Sequence, residues 1–427
     1  VALALAGCTP GEGEAAADAV PAAPAARSDA EVLRPPVETI ASPAGPLSLA
    51  PELTRVDGQP ALTWIERSRE ADGPARVRFA RLGTAGSDVV TVAPASGSPA
   101  ELFANWADRP GVVQGGEALG GPLYAWWLAK SGDGTYAYSV EVARSTDAGA
   151  TWQPLGTLHS DATPAEHGFV TLVPEGPGVR AFWLDGRATA RGEPMTLRTV
   201  LVTDRIERGS AELLDASVCD CCNTAAAVTA DGPVVVYRDR TGEEVRDHRV
   251  VRRTPDGRWS EPAPLHRDGW KIPACPVNGP AMAVSGDALW VAWFTAAEGR
   301  PQVLAARSGD GGRSFGDPLL VDGDAPLGRL DLEPDGAGGA IVSWLGTGEG
   351  ASPGEREATI RLRRLTPDGR LGPVAEVASA DGSRATGVPR LLADGERLLV
   401  AWIEPAEGSR AGTLRLARLA AGAVPLR

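Results

Sequence analysis

Three features of the sequence predict an all-β fold of the propeller type. An apolar strand carrying Trp or Tyr recurs along the chain, each time followed by a polar loop and a second, alternating strand. The repeats lie on the order of 50–60 residues apart, within or just above the spacing of propeller blades. Asp-Gly turns punctuate the units, and no stretch carries a helical period.

The first strands of these hairpins are predicted at 61–65, 123–127, 180–184, 233–237, 289–293, 340–344 and 398–402. Their partners follow at 77–81, 139–144, 197–202, 248–252, 303–307, 360–364 and 414–418, where β-branched residues alternate with polar ones. Each hairpin has room for an inner strand before it and an outer strand after it. Seven blades are therefore expected, with six the alternative if one repeat is an insertion. Trp64, Trp183, Trp293, Trp344 and Trp402 recur at one position and are read as the large residues between neighbouring sheets. Hairpin turns are expected at Asp72-Gly73, Asp231-Gly232, Asp256-Gly257, Asp335-Gly336, Asp368-Gly369 and Asp394-Gly395.

Composition narrows the function. Lys plus Arg number 42 against 55 Asp plus Glu, a net charge of −13 in 427 residues. That balance argues against nucleic acid and against a general affinity for anionic membranes. The chain opens Val1-Ala2-Leu3-Ala4-Leu5-Ala6-Gly7-Cys8, which resembles the end of a bacterial lipoprotein signal peptide. On that reading residues 1–7 are removed and Cys8 carries lipid. Residues 8–46, rich in Ala, Pro, Gly and acid, form a flexible tether, and residues 47–427 form the propeller. The expected address is the bacterial cell envelope, facing the periplasm or the cell surface. Membrane attachment is by the lipid alone, and the protein is expected to be a monomer.

With Cys8 set aside, four cysteines remain in two segments, Cys219-Asp220-Cys221-Cys222 and Cys275-Pro276-Val277-Asn278. An oxidising compartment makes two disulfides the default for Cys219, Cys221, Cys222 and Cys275. One bridge is expected from Cys221 or Cys222 to Cys275. The alternative is a metal held by these thiolates with His167, His248 or His266, but C-x-C-C matches no zinc ribbon. No cofactor is therefore assigned.

Two turns are more specific. Ser145-Thr146-Asp147-Ala148-Gly149-Ala150-Thr151-Trp152 matches the Asp-box pattern S-x-D-x-G-x-T-W. Ser308-Gly309-Asp310-Gly311-Gly312-Arg313-Ser314-Phe315 matches its looser form. In such a turn the carboxylate bonds local N–H groups, glycine takes positive φ, and the aromatic (Trp152, Phe315) tucks inward. On these residues the sequence resembles the sialidase (neuraminidase) superfamily of Asp-box propellers. Along residues 218–282 it also resembles a group of exported bacterial sialidase-like proteins with Cys-Asp-Cys-Cys, Tyr-Arg-Asp-Arg and Cys-Pro-Val-Asn-Gly-Pro segments. The resemblance implies a shared site there, and Asp boxes on the face opposite the active site. It further implies glycan hydrolysis through an Arg triad, a Tyr–Glu nucleophile pair and an Asp acid. The Arg-Ile-Pro motif that supplies the first triad arginine is missing, and no clear triad is seen, so whether the chain is an enzyme stays open.

Loops on one face of such a propeller carry the candidate residues. Asp185, Tyr237, Arg238, Asp239 and Glu243 are the catalytic candidates, with Tyr237 and Glu243 the nearest match to the Tyr–Glu pair. Candidate ligand contacts are Asn105, Trp106, Asp108, Arg187, Asp220, Asn223, Arg246, Trp270, Asn278 and Arg329. Trp106 and Trp270 fall outside the repeat strands and could stack on a sugar ring. The expected function is binding of a glycan or other small envelope ligand in a central pocket. The alternatives are a glycoside hydrolase using carboxylates of the same face, and a scaffold for protein assembly.

Overall fold

The computed structural model describes residues 32–68, 74–83, 88–93, 101–116, 119–347 and 357–426. Cys8, the Asp72-Gly73 turn and most of the expected tether lie outside them. The described residues build one eight-stranded and five four-stranded sheets, all antiparallel. Among the described residues helix is confined to five three-residue turns, and none is long and apolar enough to cross a membrane.

All seven predicted hairpins form. Gln59–Glu66 pairs with Arg76–Arg81, Gly178–Asp185 with Met195–Val202, and Gly232–Arg238 with His248–Arg252. The others pair in the same way. Each hairpin is the middle of a four-stranded meander. The eight-stranded sheet is two such meanders touching at a single pair, Ser48–Gly412. Glycine takes positive φ at Gly232, Gly257, Gly336, Gly369 and Gly395, as the Asp-Gly turns require.

The first strands of successive meanders are neighbours. Ser48–Val56, Gly111–Gln114, His167–Glu175, Ala225–Thr229, Ala281–Ser285, Gly328–Pro334 and Arg390–Asp394 follow one another, and the last returns to the first. Between the sheets lie the buried Trp64, Trp183, Trp293 and Trp344. Trp402, partly buried, packs beside Leu398 and Val400.

Part of the stretch expected as tether is structured. Glu38–Ile40 pairs with Gly412–Ala420 and supplies the outer strand of the last meander, while Leu33 bridges Ala375. Leu33, Val37 and Ile40 carry enough apolar surface to dock this stretch, which composition alone had assigned to solvent.

Both Asp boxes close as expected. Asp147 accepts from Ser145 Oγ at 2.7 Å and from the Thr151 N–H at 2.9 Å. Asp310 accepts from Ser308 Oγ at 2.7 Å and from the Ser314 N–H at 3.0 Å. Trp152 then meets Phe79 of the preceding meander edge-on, with ring centroids 5.9 Å apart. The boxes join third to fourth strands. In an antiparallel meander that edge is opposite to the one where inner strands begin, and all the candidate residues except Tyr237, within its strand, sit at the latter.

Candidate functional site

The site is built around the two cysteine segments. Residues 219–224 lead into the inner strand Ala225–Thr229, and residues 275–280 lead into its neighbour Ala281–Ser285. Gly279 lets the two backbones touch, since a Cβ there would stand 2.3 Å from the Asn223 carbonyl oxygen. Arg238 ties the segments together. Buried to 1% exposure, it donates to the Asn278 carbonyl at 2.8 and 3.3 Å, to Arg246 O at 2.7 Å and to Phe294 O at 2.9 Å. Its guanidinium lies 4.8 Å over the Trp270 ring.

The expected disulfides are absent: no two of Cys219, Cys221, Cys222 and Cys275 are bonded to each other. Cys219 Sγ is 3.7 Å from both Cys221 Sγ and Cys222 Sγ, far beyond the roughly 2.05 Å of an S–S bond. The reason is local. The 219–222 turn curls three thiols toward one point, and Cys221 faces Cys275 without coming to bonding distance. Cys275 stands at the open side, its Sγ grouped with Cys221 and Asp220. Arg246 Nη1 is 3.3 Å from Cys219 Sγ. Burial pushes the Cys222 thiol up, but the neighbouring thiols, Arg238 and the Asn278 N–H hold it well below the usual cysteine range.

The charged loop after Arg238 forms a wall beside the thiols. Arg246 donates to Glu244 at 2.8 Å and to Asp220 at 3.3 Å, and Arg240 bonds the same two carboxylates. The Arg246 N–H donates to Trp270 O and the Ile272 N–H to Glu244 O, lashing the wall to the stretch before Cys275. Asp220, Arg240, Glu244 and Arg246 thus form one closed polar ring. Glu243 is exposed at the loop tip, and Asp239 is paired with Arg249 at 2.7 Å.

Across from the thiols lies a buried acid cluster. The Tyr138 hydroxyl donates to Glu166, and Asp108 accepts from the Phe169 N–H. Burial raises Glu166 to about 8, and the nearby Asp220, Asp108 and Cys275 add to it while the Tyr138 hydroxyl opposes. Burial likewise raises Asp108 to about 7. Glu166 keeps partial exposure at the mouth, and its raised pKa favours the neutral acid at pH 7.

Beneath the mouth runs an axial cavity of about 200 Å³, lined by residues from all seven inner strands or the segments entering them. Glu52 bridges Arg109 and Arg390, each at 2.8 Å, and Asp331 meets Arg390 at 3.2 Å. Arg329 donates to the Ser383 and Gly382 carbonyls and lies 5.6 Å over Trp106. Asn223 and Asn278 complete the polar lining. The Asn278 amide is occupied by the Arg329 N–H and Leu327 O. The Asn223 amide has no hydrogen-bond partner among the described residues.

Several candidates have other duties. Tyr237 is fully buried and its hydroxyl donates to Asp215, so burial beside that carboxylate raises its pKa far out of nucleophile range. Asp185 is buried as the acceptor of the Trp183 indole N–H at 2.9 Å and of the Arg187 fork at 2.6 and 2.7 Å. Burial opposes its charge, but Arg187, His167 and Trp183 hold it at about 2. Glu66 and Asp322 accept from Trp64 and Trp344 in the same way. Asp185 and Glu66, two residues beyond repeat tryptophans, are therefore indole acceptors, while Glu404 beyond Trp402 pairs with Arg415. Trp106 and Trp270 are 8% and 7% exposed and offer no free face to a sugar. Asn105 caps the turn at Ala107 N. Arg187 is shared between Asp185 and Asp161, beside the stacked His159 and His167 rings.

Sequence reasoning passed over Glu52 and Tyr138; it expected the Glu166-His167 loop at the mouth without giving Glu166 a role, and set Arg390 aside as a misplaced arginine motif. A signal for Glu52 existed. Ala50, Phe169 and Arg329 all adopt positive φ at a register shift in their inner strands, which turns Glu52, Thr171 and Asp331 to equivalent places. Aligning the inner strands, rather than the hairpins, would have exposed that column.

No family model and no curated protein matches the chain. Among solved structures, a polysaccharide lyase of family PL25, an ulvan lyase bound to -[GlcA(1-4)Rha3S]-, aligns over 88% of this chain and 95% of its own at a TM-score of 0.54 and 10% identity. A protein of unknown function from Dyadobacter fermentans aligns over 91% and 97%, at TM-score 0.46 and 14% identity. The NanB sialidase of Streptococcus pneumoniae, as its K499G mutant, aligns over 90% and 71%, at TM-score 0.46 and 10% identity. The likeness to the ulvan lyase is one of fold.

Proposed function

We propose that the chain is a seven-bladed propeller of the sialidase type that binds an acidic glycan at its axial mouth. Each four-stranded meander is then one blade, and Glu38–Ile40 closes the ring by completing the last. The observation that carries the binding reading is the axial cavity. It gathers Arg109, Arg329 and Arg390 against only Glu52 and Asp331, and leaves the Asn223 amide without a partner among the described residues. A surplus of guanidinium beside a free amide suits the carboxylate or sulfate and the hydroxyls of an anionic sugar. The ulvan lyase of like fold was solved with a glucuronate-containing, sulfated ligand, which agrees with this chemistry. Anchoring through Cys8 in the bacterial envelope would place the mouth among extracellular or periplasmic glycans.

Retention on immobilised uronate, sulfated and sialylated oligosaccharides tests the reading. Asn223→Ala is expected to weaken retention about tenfold, the loss of one to two hydrogen bonds to ligand. Retention of no acidic glycan, or retention indifferent to Asn223→Ala, would overturn it.

A second reading, glycan cleavage, draws on Glu166. A carboxyl held at about 8 by burial can give a proton to a leaving oxygen at neutral pH. On this reading the acid moves from Asp239 and Glu243, which are paired or at the loop tip, to Glu166. Turnover of aryl glycosides or uronate polymers that disappears in Glu166→Gln supports it, and turnover unchanged by that variant removes it.

A further inference from the structure

The thiol cluster is arranged as a metal site. We propose that Cys219, Cys221 and Cys222 bind one thiophilic d10 cation, Zn(II) or Cu(I), with Cys275 at the open side as the exchangeable fourth donor.

Distance is the first argument. A tetrahedral zinc–thiolate centre with bonds of about 2.3 Å has its sulfurs about 3.8 Å apart, and a trigonal centre spreads them little more. Cys219 Sγ stands 3.7 Å from each of its two partners, and the three sulfurs lie within 4.8 Å of one another. That spacing is too long for a bond between sulfurs and matches sulfurs sharing one ion. Three thiols converging without forming a disulfide call for a common partner. Soft thiolate sets select Cu(I) and Zn over harder ions.

Rigidity is the second. Cys219 and Cys222 are 1% and 2% exposed. The Cys219 N–H donates to Arg238 O at 3.0 Å, while Arg238 also grips the Asn278 carbonyl of the neighbouring segment. The cage is therefore held from behind by a buried arginine. Cys221 and Cys275 are only partly buried, which leaves a way in from the mouth.

Charge is the third. On binding, each coordinating thiol loses its proton to solvent, so three thiolates around Zn(II) carry −1 and four carry −2. Arg246, whose Nη1 already lies 3.3 Å from Cys219 Sγ, and Arg238 behind the turn offset that charge. Asp220, whose Oδ1 lies 4.0 Å from Cys275 Sγ, is paired with Arg240 and Arg246 and does not add an unpaired anion to the set.

The test uses the full chain, reduced and handled without oxygen, and loaded in separate arms with Zn(II), Cu(I) or Co(II). One ion per chain is expected after gel filtration, with thiolate-to-cobalt charge-transfer absorption in the near ultraviolet and protection of Cys219 and Cys222 from alkylation. Cys222→Ser is expected to weaken binding at least 100-fold. A drop of similar size in Cys275→Ser supports four-coordinate Zn(II), and little change with strong Cu(I) retention supports three-coordinate Cu(I). Should the serine variants not fold, protection from alkylation in the unmutated chain still decides the matter. No ion retained in any arm, alkylation indifferent to metal, or a disulfide among these cysteines in the unreduced exported protein would overturn the proposal.

Discussion

Replacing Arg238 with Lys tests whether this residue holds the site together rather than performing chemistry. Arg238 makes four N–H contacts to three carbonyls, those of Asn278, Arg246 and Phe294, and rests on the Trp270 ring. Lys keeps the charge but loses the planar fork, and from that position its single nitrogen reaches one or two of the three acceptors. At least one buried carbonyl is left unpaired, at about 1–3 kcal/mol, and the charge-assisted bonds that remain are fewer. The expected loss is about 3–4 kcal/mol, in the range for breaking a buried polar network. Urea unfolding followed by tryptophan fluorescence reads it as a lower midpoint at unchanged slope. The 219–222 and 275–280 segments should separate as well, so alkylation of Cys219 and Cys222 should quicken. A loss below about 1 kcal/mol with alkylation unchanged would refute the clamp.

Other variants probe neighbouring conclusions. Asp185→Asn removes the carboxylate that accepts the Arg187 fork while keeping an acceptor for Trp183. It is expected to cost about 2–4 kcal/mol in the same urea assay and to leave glycan retention intact. Glu166→Gln has a pH signature. The Glu166 pKa is raised on folding, so its contribution is fully present below about 4.5 and is lost as pH rises through about 8. The Gln variant should therefore gain on the parent above pH 4.5 and level off above 8, and a gap independent of pH would contradict this. His159 acts at the other end. Burial and the stacked His167 lower it to about 4, so the folded protein should lose stability as pH falls from 6.5 through 4. His159→Gln should flatten that slope in thermal melts taken across the window.

The legible part of the fold was its repetition. Trp64, Trp183, Trp293, Trp344 and Trp402 mark strands because each must fill the same gap between sheets, so the pattern survives in one dimension. The Asp boxes were legible for a similar reason, since Ser145, Asp147, Gly149 and Thr151 complete their hydrogen bonds within a single turn. The strand Glu38–Ile40 was not, because its partner Gly412–Ala420 lies at the far end of the chain.

The site was legible only as a neighbourhood. Acids placed beside the repeat tryptophans looked like catalytic groups, but whether such an acid faces a pocket or an indole N–H depends on the side chain across the strand. Glu52 and Arg390, 338 positions apart, meet only because the inner strands near the two ends of the chain, Ser48–Val56 and Arg390–Asp394, are neighbours. What the sequence determined by itself was the strand period, the turns and the grouping of four cysteines on two loops, all consequences of local geometry and side-chain chemistry. What only the tertiary structure decided was that Cys219, Cys221 and Cys222 gather around one point, with Cys275 beside Cys221, and none of them at disulfide distance. The 219–222 turn sets the first three sulfurs, but the approach of Cys275 depends on how two loops from adjacent sheets meet at Gly279 and Arg238, and no spacing along a chain encodes a distance between its loops.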